Sequence, residues 1–214
     1  MSDAPLEGLA VLPGRLSAAE QRALADEVAD VIAAAPLFTP VMPRTGAPFS
    51  VRMTNCGPLG WVADRAGYRY QPTHPETGDP WPAMPQRLID LWSELGAPAD
   101  PETCLINVYA PGARMGLHQD RDEGTFDAPV VSVSLGDTAV FRMGGTTRRG
   151  PTRSVRLASG DVVVFGGAAR LMYHGIDRVL AGSSTLLPGG GRINLTLRRV
   201  TPWTTPSPKP RSSR

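Results

Sequence analysis

The chain has 214 residues, with 22 Lys or Arg against 20 Asp or Glu and a net charge of +2. That length suits one or two domains with a substantial core, and the 41% hydrophobic, 20% charged composition excludes disordered, fibrous and membrane-embedded classes. No apolar run is long enough to span a bilayer, and the Met-Ser-Asp-Ala-Pro-Leu-Glu start lacks the basic opening and apolar middle of a signal peptide, so the expected compartment is the cytoplasm.

The first element is a helix. Ser17-Ala-Ala-Glu20 has the spacing of a capping box, in which hydroxyl and carboxylate satisfy each other's backbone N–H groups. The helix runs to about Ala35 with Leu24, Val28, Val31 and Ile32 on its buried side, and Pro36 ends it. Residues 50–83 read as short strands and turns, with Tyr68 and Tyr70 on one strand face and His74 in an exposed Pro/Gly turn. A second helix spans Pro85 to Leu95, because Leu88, Leu91, Trp92 and Leu95 recur at i, i+3, i+4 and i+7 and Gly96 stands at its stop. Cys56 and Cys104 form no Cys-x-x-Cys pair and are expected to be reduced packing residues.

Beyond residue 103 the pattern turns to strands: Cys104–Tyr109, Val130–Leu135, Ala139–Met143, Ser154–Leu157, Asp161–Phe165, Leu171–Ile176 and Arg192–Arg198, separated by Gly, Pro and Asp turns. Strands at this spacing predict an α+β, mainly β chain with a barrel or jelly-roll core and a cavity between its sheets. Val162 to Val164 is a continuous apolar run, suited to a strand buried on both faces. The Pro/Ser/Thr-rich segment 201–214, with its basic end, reads as a flexible tail.

Three groups of residues carry chemistry. His118 and Asp120 stand at i and i+2, which on a strand places both on one side, and a distant strand can bring His174 to them. Two imidazoles and a carboxylate form the facial triad that binds iron(II) with open positions; the bland alternative is a surface pair and one core histidine. On the last strand Arg192, Asn194, Thr196 and Arg198 face opposite to Ile193, Leu195 and Leu197. If that face is inward its two arginines need anions, either structural acids or a small dicarboxylate held through guanidinium forks; the plain alternative is exposure on an outer sheet face. Asn107 and Tyr109 share a face of their own strand and can add neutral hydrogen bonds to the same anion. Iron(II) with 2-oxoglutarate is the chemistry that uses a triad and a basic strand together. Third, Arg142, Arg148, Arg149, Arg153 and Arg156 crowd one stretch of a chain whose only lysine is Lys209. They make either a solvated hairpin tip or a phosphate-gripping loop.

The blocks Met-Thr-Asn-Cys-Gly-x-Leu-Gly-Trp (53–61), Pro-Trp-Pro-Ala-Met-Pro (80–85), Cys-Leu-Ile-Asn-x-Tyr-Ala-Pro-Gly-Ala (104–113), Leu-His-Gln-Asp-x-Asp-Glu (117–123), Val-Ser-Val-Ser-Leu-Gly (131–136), Gly-Asp-Val-Val-Val (160–164) and Tyr-His-Gly-Ile (173–176) resemble bacterial AlkB, a family of iron(II)/2-oxoglutarate dioxygenases that repair alkylated nucleic acid. The resemblance runs from about residue 50 to 199. It implies a double-stranded β-helix core (104–200) and a nucleotide-recognition lid with a support helix (50–103); the N-terminal helical extension (1–49), expected to pack outside, and the tail (201–214) match the family only in kind. It implies iron held by His118, Asp120 and His174, with 2-oxoglutarate held by Asn107, Tyr109, Arg192, Asn194 and Arg198. Trp61, Tyr68, Tyr70, Asp122 and Arg148 fall where substrate is bound. A cationic N-methylated base has lost its pairing edge, which lowers the cost of flipping it, and a Trp face attracts such a ring. For Trp61 the plainer role is core packing, and for Asp122 a solvated turn. The implied reaction is oxidative demethylation of 1-methyladenine and 3-methylcytosine type lesions in alkylated DNA, single-stranded by preference, with duplex DNA and RNA as further candidates. O2 is the second co-substrate; formaldehyde, succinate and CO2 are released; and the enzyme is expected to be a monomer. The rivals are a relative acting on a protein or small molecule, a zinc-type hydrolase, and a non-enzymatic nucleic-acid binder. Two positions depart from the family's pattern: Phe165, where Trp is frequent, and the Gly-rich loop before Arg192.

Overall fold

The computed structural model describes residues 7–97 and 99–203. Along the chain lie β1 (Leu9–Leu12), α1 (Ala18–Ala34), β2 (Arg52–Cys56), β3 (Gly60–Asp64), β4 (Gly67–Gln71), α2 (Gln86–Glu94), β5 (Thr103–Tyr109), β6 (Met115–His118), β7 (Val130–Gly136), β8 (Ala139–Met143), β9 (Arg153–Leu157), β10 (Val162–Phe165), β11 (His174–Val179) and β12 (Arg192–Arg198). A six-stranded sheet in the order β1-β10-β7-β12-β5-β2 faces a four-stranded sheet in the order β6-β11-β8-β9, and β3-β4 is a separate hairpin. All pairings are antiparallel. From β5 to β12 the chain passes back and forth between the two larger sheets, save for the β8-β9 hairpin within the smaller one, which is the double-stranded β-helix, or jelly roll.

The larger sheet is buried on both sides, and the alternation of its residues decides what each side does. Ile106 of β5, Val131, Val133 and Leu135 of β7, Val162 of β10 and Leu195 and Leu197 of β12 pack with Leu24 and Val28 of α1 and Leu88 and Trp92 of α2. The residues in between face the smaller sheet. There Leu105, Val130, Val163 and Phe165 meet Phe141 and Met143 of β8 and Ile176 of β11. Polar members of the inner face line a cavity between the sheets.

Local chemistry fixes both helices. The hydroxyl of Ser17 accepts from the Glu20 N–H at 3.3 Å while the Glu20 carboxylate accepts from the Ser17 N–H at 2.7 Å, a closed capping box. Gly96 follows α2 at φ +77°, the left-handed stop that glycine adopts without a Cβ penalty. Cys56 and Cys104 are buried, free and directly opposite one another on β2 and β5.

Four expectations need correction. His74 is buried rather than exposed: its Nε2 lies 2.8 Å from the Pro36 carbonyl, its Nδ1 accepts from the Glu76 and Thr77 N–H groups, and its ring meets Phe38 and Trp81 edge-on. The Pro/Gly turn packs against the Pro36–Phe38 segment and Trp81 and uses the imidazole to satisfy backbone groups. β11 starts at His174, because the chain is still leaving the 3₁₀ turn Gly167–Ala169, with the Met172 N–H donating to the Ala169 carbonyl. β1 was not expected; four residues at a sheet edge carry too short an alternation to read. Asp120 lies beyond the end of β6, so strand alternation is not what places it beside His118. Residues 204–214 of the expected tail lie outside the described residues. Among the described residues no helix is long and apolar enough to cross a membrane.

Candidate active site

β6 and β11 pair so that His118 and His174 stand directly opposite one another, their ring centroids 4.5 Å apart. This pairing requires Gly175: a Cβ there would sit 2.5 Å from the Met115 carbonyl oxygen. Each imidazole has its Nδ1 tied to a carbonyl two residues back, Gly116 at 2.9 Å for His118 and Met172 at 3.1 Å for His174. A ring nitrogen that donates to a carbonyl leaves the other as a bare acceptor, the state a metal needs. Both Nε2 atoms face Asp120, at 3.7 Å from Oδ1 for His118 and 3.9 Å from Oδ2 for His174. One ligand atom from each of the three residues falls within 4.8 Å of the others.

Electrostatics favour the ligand forms of these groups. Burial pulls the pKa of His174 down to about 4, helped by the neighbouring His118, so the ring is neutral at physiological pH. Burial by itself would raise the Asp120 carboxyl. The charge of Arg198, followed by the imidazoles once they are protonated in acid and by Arg170, outweighs it and holds the group well below the usual carboxylate range. Arg198 achieves this with a fork, Nε donating to Oδ2 at 3.1 Å and Nη2 lying 2.9 Å from Oδ1.

Next to the triad the inner faces of β5, β7 and β12 form a polar floor. Register sets Arg192 opposite Tyr109 and Asn194 opposite Asn107. Arg192 is 1% exposed. Its guanidinium donates to the Ser134 hydroxyl at 2.8 Å and to the Asp137 and Leu157 carbonyls at 3.3 Å, and it has no carboxylate partner among the described residues. Its Nε and the Oδ1 of Asn107 are buried without hydrogen-bond partners. A buried arginine whose fork meets only neutral groups is costly unless an anion joins it, so the floor fits a carboxylate ligand. Burial lowers the Arg192 pKa to about 10 and raises that of Tyr109 to about 12; at neutral pH one remains a cation and the other a neutral phenol. Asn194 spends its amide N–H groups on the Ser132 hydroxyl and the Val133 carbonyl. The loop before Arg192 is anchored rather than loose, since the Asp137 carboxylate accepts from the Gly191 and Ser184 N–H groups at 3.0 Å.

At the mouth of the cavity stands the β3-β4 hairpin. Trp61 and Tyr68 stack at 5.6 Å with an interplanar angle of 16°, and the indole N–H donates to the exposed Asp122 carboxylate at 2.8 Å. Tyr70 turns inward instead, donating to Glu123 at 2.5 Å and accepting from Arg198 at 3.3 Å. Of the five clustered arginines only Arg148 borders the cavity, from the exposed β8-β9 turn. Arg142 is paired with Asp177 at 3.2 Å. Metal triad, polar floor and aromatic mouth line one cavity of 570 Å³.

Sequence reasoning gave no role to Glu123, Gln119, Ser134 or Arg170. The first three stand inside the quoted family blocks, and block membership was their only signal. Arg170 had none.

The profile of the 2OG-Fe(II) oxygenase superfamily matches residues 8–198. The chain is 58% identical over 194 residues to an alpha-ketoglutarate-dependent dioxygenase AlkB homolog of Caulobacter vibrioides, covering 90% of this chain and 88% of that protein. This chain belongs to the bacterial AlkB family. It is also 46% identical over 203 residues to the alpha-ketoglutarate-dependent dioxygenase AlkB of Escherichia coli, covering 92% of each. The solved structure of OsALKBH1 superposes with a TM-score of 0.76 at 29% identity, covering 92% of this chain and 99% of that one. AlkB membership makes the chain an iron(II)/2-oxoglutarate-dependent dioxygenase, and its triad and polar floor suit both groups.

Proposed function

We propose that this dioxygenase oxidatively demethylates N-alkylated bases in nucleic acid, with alkylated single-stranded DNA as the favoured substrate. The observation that carries the reading is the stacked Trp61–Tyr68 pair, with Asp122 hydrogen-bonded to its indole, opening into the cavity that holds the triad. A 1-methyladenine or 3-methylcytosine is a flat cation. Aromatic faces and a nearby carboxylate attract such a ring, and its lost pairing edge lowers the cost of extruding it.

Each part of the chain then has a task. His118, Asp120 and His174 would hold the iron. Arg192 would grip the remote carboxylate of 2-oxoglutarate, with Tyr109, Asn107 and Asn194 giving neutral contacts and Arg198 a second cation beside the metal carboxylate. The bound iron, 2-oxoglutarate and O2 supply the oxidation: the keto acid leaves as succinate and CO2, and the N-methyl group gains a hydroxyl. Trp61 and Tyr68 hold the base plane, Asp122 meets its charge, and Arg148 on its exposed turn meets strand phosphate. The hydroxymethylated base then releases formaldehyde and regains its pairing edge.

Mass spectrometry of a 3-methylcytosine oligonucleotide tests the reading. One methyl group should disappear only when iron(II), 2-oxoglutarate and air are all present. Demethylation under strict anaerobiosis, or no demethylation in the complete mixture while a methylated peptide is turned over, would overturn it.

A further inference from the structure

Arg170 is outside every motif that points to the site, yet the structure connects it to the site more fully than to anything else. It follows the 3₁₀ turn Gly167–Ala169 and precedes His174 by four residues. Its side chain is 3% exposed. Every polar atom of its guanidinium is spent on the segment between β6 and β7, the loop that carries Asp120. Nη1 donates to the Asp120 carbonyl at 2.7 Å, and Nε donates to the Ala128 carbonyl at 3.1 Å. Nη2 lies 3.2 Å from the Glu123 carboxylate, an ion pair by proximity without hydrogen-bond alignment. The exposed Phe126 ring covers the guanidinium carbon at 5.2 Å.

The loop's other side-chain anchors are the Arg198 fork on Asp120, the Tyr70 hydroxyl on Glu123 and the Trp61 indole on Asp122; its backbone is held far less. Residues 119–129 belong to no strand or helix, and their loop backbone bond to the rest of the protein is Gly124 N–H to the Val200 carbonyl at 2.8 Å. Gln119 adds one strap in the same direction as Arg170, its amide donating to the Leu171 carbonyl. Asp120 has therefore left the ladder that aligns the two histidines, and a side chain from the segment leading into His174 holds it by its own carbonyl. A second route is electrostatic. Glu123 sits between Arg170 and Arg198, and Arg198 is the fork on the Asp120 carboxylate. Without Arg170, Glu123 would draw Arg198 away from Asp120.

We propose that Arg170 is a positioning residue of the metal centre. It locks the Asp120 loop against the His174 segment so that the three ligand atoms converge before the ion arrives. The proposal rests on the iron site described above. A carboxylate ligand on an unstrapped loop must be ordered when metal binds, and that entropy weakens metal affinity. Partners behind the ligands are typically worth 10–100-fold in affinity.

The test is the affinity for Mn(II), a redox-inert stand-in for iron(II), measured by electron paramagnetic resonance with saturating 2-oxoglutarate. Arg170→Met should keep the native circular dichroism spectrum and bind Mn(II) about 10–100-fold more weakly. Turnover with iron should recover to within a few-fold when the metal is raised to saturation, placing the defect in metal affinity rather than kcat. Arg170→Lys keeps the charge beside Glu123 but lacks the planar fork, so it should recover part of the loss and remain at least about fivefold weak. It carries the test if the Met variant fails to fold. Val28→Ala, on α1 across the sheet, controls for stability and should lower the melting temperature with Mn(II) affinity unchanged. Folded Arg170 variants that bind Mn(II) as tightly as the unsubstituted protein, or no more weakly than Val28→Ala, overturn the proposal. Failure of the unsubstituted protein to bind Mn(II), or equal binding by His118→Ala, overturns the iron site itself.

Discussion

Arg192 and Arg148 border the same cavity from opposite ends. The first is 1% exposed on an interior strand of the six-stranded sheet, with its guanidinium fixed by a hydroxyl and two carbonyls. The second stands on an open turn between two strands of the smaller sheet. Their surroundings follow the same division. The floor is buried, register-locked and backed by a helix-covered apolar face, so its side chains are ordered before any ligand arrives. The mouth is a two-stranded hairpin and a turn, with Tyr68 46% exposed and Asp122 and Arg148 in solvent. A small, invariant co-substrate can be met by a rigid floor. A base on a polymer needs a mouth that strand and sugar can pass, which forbids burying it.

Breaking the triad or the floor beside it should cost most. His174→Ala removes a protein ligand, so Mn(II) affinity should fall by more than the roughly 100-fold upper range for outer partners, and turnover should vanish with it. Residual turnover at ordinary metal concentrations would show that His174 is not a ligand. Arg192→Ala should raise the 2-oxoglutarate KM about 10–100-fold, the worth of a buried charge-assisted fork, with Mn(II) affinity intact. An unchanged KM would move the dicarboxylate away from β12.

Acid should also strike the triad before the mouth. The folded pKa of His174 is about 4, below the ordinary value of 6.5, so the unfolded chain binds the proton more readily. The stability this neutral ring contributes is present above pH 6.5 and is lost as pH falls toward 4. A denaturant series on metal-free protein across that window should lose stability on the order of 3 kcal/mol. A His174→Gln variant should flatten the slope; a slope it leaves intact would assign the titration elsewhere.

Effects at the mouth should be smaller and specific to nucleic acid. Trp61→Ala should weaken binding of methylated single-stranded DNA about 5–150-fold, the range of one lost base–aromatic stack, while 2-oxoglutarate KM stays constant. Arg148→Ala should weaken it only a few-fold and evenly across sequences, lowering the slope of log affinity against log salt by about one unit. If Arg148→Ala proves more damaging than Arg192→Ala, the division between floor and mouth is wrong.

Period-2 alternation made the floor legible. Arg192, Asn194, Thr196 and Arg198 had to share a face because β12 is regular from end to end; that this face lines the cavity while Ile193, Leu195 and Leu197 pack under the helices was decided by the fold. The capping box at Ser17 and the stop at Gly96 were legible for the same reason: each is decided within a few residues. His74 was misread because a turn's composition does not reveal what folds over it. Asp120 was rightly associated with His118 for a wrong local reason, since it lies past the strand and not along it.

The amino-acid sequence by itself determined the repeating part of this protein: which strands and helices form, which faces are apolar, and that imidazoles, a carboxylate and arginines sharing a strand face exist in strand and family patterns. Such features rest on neighbours a few positions apart, where backbone geometry leaves little choice. Only the tertiary structure decided that Arg192 lacks an acid, that Tyr70 turns to Glu123 and not to the mouth, and that Arg170 clasps the loop of Asp120 from 50 residues away. Those outcomes depend on which long, flexible side chains meet after the sheets close, and each is settled by the competition of charge pairing, desolvation and space among groups far apart along the chain.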